Sequence, residues 1–142
     1  MPLNTNTKNR ILRSLVGKDS ALGSSVYLGL SSTTPNAEGG NITEPIGNGY
    51  ERVLVGSYSQ SGTQKFGDVS NDSITNNEII YFPESTGSWG NTLTHFVLFT
   101  TKTGTGDSYV LAFGELTTPV TVSAASTVVL FRKGELKVTY SD

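Results

Sequence analysis

Two segments of the chain are apolar on both faces when drawn as extended strands. In residues 93–100, one face carries Leu93, His95, Val97 and Phe99, and the other carries Thr94, Phe96, Leu98 and Thr100. In residues 109–116, one face carries Val110, Ala112 and Leu116, and the other carries Tyr109, Leu111 and Phe113. Successive side chains of a strand point to opposite faces, and a sandwich buries only the inner face of each sheet. The second apolar face therefore needs a cover of its own. Three covers are open: an N-terminal helix, a long loop, or another copy of the chain. Uncovered apolar patches mark interfaces, so the pattern favours a contact between copies built on Phe96, Leu98, Tyr109, Leu111 and Phe113.

Helical periodicity occurs in one place. Across residues 4–17, Ile11, Leu12, Leu15 and Val16 fall at helical spacing and Gly17 supplies a stop. Thr5, Asn6 and Thr7 are the candidate caps. A helix this short is marginal alone and must lay its apolar stripe on something. Either it plugs one end of the β domain, or Ile11, Leu12 and Leu15 dock on a neighbouring subunit.

After Gly17 the pattern is of strands and turns. Val26, Leu28 and Leu30 mark a first strand, which runs into a long Gly/Pro/Asn/Thr loop ending at Gly47-Asn48-Gly49. Residues 50–55, 79–82, 93–100 and 109–116 read as strands, and residues 56–77 as turns around one irregular strand. Residues 120–122 and 127–131 give two short pieces. In the last strand, Leu136, Val138 and Tyr140 alternate with Glu135, Lys137 and Thr139, the mark of one wet face. The result is an all-β antiparallel sandwich of about eight strands with a short N-terminal α-helix, in a single domain spanning residues 1–142.

Composition sharpens this reading by exclusion. Charged residues are 15 % of the 142-residue chain, below the usual ~25 %, and Gly, Ser, Thr and Asn take their place. Such a surface suits packing against other protein. The net charge is −2 and the basic residues are scattered, apart from Lys8, Arg10 and Arg13 and the pair Arg132 and Lys133. No patch is dense enough for nucleic acid. There is no cysteine, which removes disulfides and thiolate metal sites. No apolar run approaches the ~20 residues of a membrane helix, and no signal peptide opens the chain. The expectation is a protein made in the cytoplasm of its host cell and kept there until assembly.

Candidate chemistry is sparse. His95 is the single histidine and sits within an apolar run, where a hydrogen-bonded structural role is expected and catalysis is not. No cofactor is implied. Asp68 and Asp72 lack the alternating ligands of a calcium loop and read as turn residues, so no metal is expected. Nothing singles out a catalytic pair among Glu44, Glu51, Glu78, Glu84 and Glu115. The glycine pairs lack the following helix and lysine of a phosphate loop. Trp89, in the loop STGSWG, either stacks on a sugar ring or caps the open end of the core.

Four segments together resemble a family of small structural proteins of tailed bacteriophages, labelled as tail-fibre or virion proteins. They are KNRILRSL (8–15); VYLGLSSTTP (26–35) with ITEP (42–45) and GNGYERV (47–53); IYFPE (80–84) with SWG (88–90) and THF (94–96); and FGEL (113–116) with GEL (134–136). The resemblance implies a jelly-roll-like β-sandwich present in multiple copies on a virion, with no enzyme activity. On that footing the expected function is a virion structural protein, a capsid decoration or tail/fibre module. It would assemble as a homo-oligomer, a trimer in the leading reading, and dock on other phage capsid or tail proteins. The alternative is a receptor module that binds a host surface glycan, with Trp89 as its contact. Neither reading involves nucleic acid or a membrane. Coiled-coil heptads and collagen-like repeats are absent, so the chain reads as a compact module, not a shaft.

Overall fold

The structure is a computed structural model that describes residues 3–18, 24–58, 60 and 62–139. Among these residues the order of elements is α1 (Thr5–Leu15), β1 (Ser25–Ser31), β2 (Val53–Ser57), β3 (Ser73–Thr75), β4 (Ile80–Tyr81), β5 (Leu93–Phe99), β6 (Val110–Val120), β7 (Leu130–Phe131) and β8 (Lys137–Thr139). The fold is all-β and sandwich-like, with antiparallel sheets and one short N-terminal helix. One layer is a four-stranded sheet in the order β2-β1-β5-β6. Facing it are two ribbons, β3-β8 and β4-β7. A jelly roll pairs two four-stranded sheets; here the described residues of the second layer form the two ribbons instead.

Register explains the main core. Leu28 lies opposite Leu98 and Leu30 opposite Phe96, while Leu98 lies opposite Ala112. Residues in register share a face. That face packs against Ile80, Phe82, Val129, Phe131 and Leu136 from the ribbons and their flanks, in one continuous buried cluster. Tyr140, expected in the last strand, lies outside the described residues.

The helix begins one residue earlier than its expected caps. Asn4 is the cap, and its Oδ1 accepts from the N–H groups of Asn6 at 2.8 Å and Thr7 at 3.4 Å. The start of α1 is stitched to the free edge of β6. Asn4 N–H donates to the Leu111 carbonyl at 3.0 Å, Leu3 bridges to Ala112, and the buried Thr7 hydroxyl donates to the Val110 carbonyl at 3.4 Å. Gly17 closes the helix at a φ of 78°, the left-handed region that favours glycine.

Strand β6 departs from the sequence pattern at both ends. Its expected first residue, Tyr109, belongs instead to a single 3-10 turn, Asp107–Tyr109. At the other end it continues through Thr117, Thr118 and Pro119 to Val120, where the sequence pattern breaks off. Being an edge strand, β6 tolerates a proline that a central strand would reject.

Candidate functional site

Both faces of β5 are buried, as the sequence pattern requires. The second face carries Val97, Phe99, Val110 and Phe113, with Tyr27 and Ile42 packed against them. Of the three covers open from the sequence, the structure shows the long loop between β1 and β2. A polar clamp holds it there. Arg52 is only 5 % exposed and lays its guanidinium 3.3 Å from the centroid of the Phe99 ring. It grips Glu44 through two bonds, Nε to Oε1 at 3.0 Å and Nη2 to Oε2 at 2.7 Å. Its Nη1 donates to the carbonyls of Thr101 at 3.0 Å and Gly104 at 2.8 Å, which ties in the turn between β5 and β6. A buried ion pair of this kind stands only when its remaining hydrogen-bonding groups are satisfied. Bidentate geometry and the two carbonyls meet that demand.

Tyr50 completes the clamp. Its hydroxyl donates to Glu44 Oε1 at 2.6 Å and accepts from the Leu30 N–H at 3.0 Å. Burial, and then the charge of Glu44, hold the phenol well above its usual range. Gly29 makes room for all of this. A Cβ there would sit 2.7 Å from Glu44 Oε1 and 2.8 Å from Phe99 Cε2.

These facts revise the sequence-derived contact between copies. Phe96 and Leu98 point into the main core and Phe113 into the second cluster, all three buried by the chain's own residues. Leu111 is half-buried and packs against the main core, because the register shift between β5 and β6 turns it out of the plain alternation. Tyr109 is partly exposed and lies against Gly104. Leu98 also forms part of the wall of a groove described below.

Trp89 is likewise corrected as a sugar platform. It is 5 % exposed, and its ring nitrogen donates to the Asn48 carbonyl at 2.9 Å. The ring meets Tyr50 edge-on at 5.3 Å and Phe82 at 6.4 Å between centroids. Gly47-Asn48-Gly49 forms the other half of this plug, with Asn48 Nδ2 donating to the Ser88 carbonyl at 2.7 Å. Trp89 therefore caps the core.

Three of the remaining candidates have structural partners. His95 Nδ1 lies 2.8 Å from the Thr94 hydroxyl, and His95 pairs across the ladder with Glu115. Glu51 pairs with Lys102 at 3.2 Å and Glu78 with Lys65 at 3.6 Å. Asp68 and Asp72 are exposed, and no three metal-ligating side chains come together among the described residues.

Among the described residues, two apolar surfaces stand out. The first is on α1. Ile11 packs against the core, but Leu12, Leu15 and Val16 are 58 %, 76 % and 72 % exposed. The second is a groove of about 460 Å³ at the β2 side of the sandwich. Its walls include Val26, Val55, Phe66, Ile74, Leu98 and Val138, and Tyr58 stands at its rim. Sequence reasoning singled out the helix stripe but missed the groove, whose walls come from six separate segments.

No curated protein matches the chain. Residues 2–139 match the model of a family described as the podophage GP4 fiber I protein gp80, and the chain belongs to this family of phage fibre structural proteins.

Proposed function

We propose that the chain is a building block of a phage fibre that works by self-assembly and by docking, with the outer stripe of α1 as its attachment surface. Membership of the fibre family makes it a virion component that meets other virion proteins. One observation carries the finer reading: Leu12, Leu15 and Val16 lie exposed on a helix whose first turn is fixed to β6. Side chains spaced three and four apart share one helix face, and a stripe of leucine and valine in water serves no purpose within one copy. The assembly is a homotrimer, and its work is structural, not catalytic. The burial of Trp89, 5 % exposed, weighs for this reading over a glycan-binding module that would use its ring.

The test is incorporation. Leu12→Asp with Leu15→Asp alters two exposed positions, so the fold and its melting temperature should hold. Particles grown with this variant as the sole source of the chain should lack it. Variant chain found in purified particles at the wild-type level would refute attachment through α1.

A further inference from the structure

We propose that the chain binds a phosphate-type oxyanion in a concavity between α1 and the turn that follows β5, with Arg10 as its principal contact. The concavity holds about 510 Å³. Arg10 reaches it from α1, Ser24, Ser25 and Tyr27 from the start of β1, and Thr100, Thr101 and Lys102 from the chain just past β5. Only the fold brings these together, since Arg10 and Lys102 are far apart in the sequence.

The lining is rich in hydrogen-bond donors. Arg10 is half-buried, yet among the described residues no hydrogen bond or ion pair engages its guanidinium. The hydroxyls of Ser24, Tyr27 and Thr100 are likewise unengaged among the described residues. Thr101 Oγ1 accepts from the Gly104 N–H at 2.8 Å, which leaves its own proton to donate. A guanidinium and an ammonium can only donate, and a hydroxyl can do either.

Charge then selects the ligand. No carboxylate lines the concavity, and no sequence neighbour of a lining residue, outside the lining itself, is charged. Two acidic side chains come near, and both are already paired. Glu51 meets Lys102 at 3.2 Å; Glu44 meets Arg52, whose Nη1 holds the Thr101 carbonyl, at 2.7 Å. Arg10 is thus the cation in excess. The pair Lys102–Glu51 is half exposed on both sides, and such pairs hold weakly, so Lys102 can turn to a bound anion. Donors that arrive from three separate segments suit the oxygens of a tetrahedral anion better than the two coplanar oxygens of a carboxylate. The arginine fork matches phosphate bidentately. Arg10 lies two residues before Leu12 and does not share its helix face. The site is therefore separate from the attachment stripe, and either reading can fail without the other.

Titration of the full chain with inorganic phosphate at fixed ionic strength, followed by amide resonances, tests this. Resonances of residues 24–27 and 100–102 should shift saturably, in the millimolar range. The same spectra show that each variant is folded. Arg10→Gln should weaken binding about tenfold and Thr100→Val about threefold. Arg10→Lys, which keeps the charge and loses the fork, should fall between wild type and Arg10→Gln. Glu51→Gln should tighten binding about twofold by releasing Lys102. Acetate should bind about tenfold more weakly than phosphate, and glucose should shift nothing. Glucose 6-phosphate separates the sources: tighter binding than inorganic phosphate marks an ester as the ligand, and equal binding marks the free anion. Absence of saturable shifts at these residues overturns the proposal. Undiminished binding by Arg10→Gln overturns it as well, as does acetate or glucose binding as tightly as phosphate.

Discussion

The two faces of the four-stranded sheet are buried by opposite means. One face lies against the ribbons β3-β8 and β4-β7 and is sealed mainly by aliphatic and aromatic side chains. The other is sealed by a loop without regular structure, which has few apolar groups to offer beyond Ile42 and relies on Arg52, Glu44 and Tyr50. Apolar packing is non-directional and tolerates exchange of similar volumes. A buried ion pair is directional and fails when one partner is removed. The first face is therefore robust in detail, and the second depends on a few named atoms.

That contrast can be broken in graded steps. Phe96→Ala, in the main core, should cost about 3–5 kcal/mol by leaving a cavity. Arg52→Ala should cost about 3 kcal/mol, because the half-buried Glu44 is left without its cation and two carbonyls lose their donor. The difference lies in what else changes. Amide exchange should quicken along residues 32–52 in Arg52→Ala and across the whole sheet in Phe96→Ala. Equal exchange patterns would mean that the loop is not a separately held unit. Gly29→Ala should cost about 1–3 kcal/mol through overpacking against Glu44 and Phe99, read as a lower urea midpoint.

Alkali gives a milder break. Tyr50 stays neutral in the fold above its ordinary value of 10.0, while the unfolded chain ionises near that value. The group's contribution to stability is thus complete below pH 10.0 and is lost progressively as pH rises above it. Urea midpoints measured at about pH 9 and about pH 11 should fall more steeply in the wild type than in Tyr50→Phe. Parallel slopes would show that the phenol is not held neutral by its site. The smallest expected effect is at the helix cap, where Asn4→Ala should cost about 1 kcal/mol and melt α1 first, seen as a loss of helical ellipticity before the sheet unfolds.

Local pattern carried much of this fold. The helix, β5 with its two apolar faces, and the turns at Gly47-Asn48-Gly49 all follow from spacing within a few residues. What covers the second face did not, because Arg52 meets Phe99, Thr101 and Gly104 only through tertiary structure. The same holds for Trp89. Its loop left both a sugar platform and a core cap open, because the Asn48 carbonyl that accepts its ring N–H lies 41 residues away. The end of β6 was hidden for another reason: Pro119 is a strand breaker unless the strand is an edge. Of the candidate site, the stripe on α1 was readable from helical spacing. The groove was not, since no short window contains more than a few of its walls.

The stitching of α1 to β6 determines where mechanical load goes. A tug on the helix passes through the Asn4-to-Leu111 bond and the Leu3–Ala112 bridge into the outermost strand. From there it spreads by way of β5 and β1 across the whole sheet, rather than peeling away the clamped loop. A part of a fibre that is gripped by its leading helix would thus bear tension along its best-connected layer.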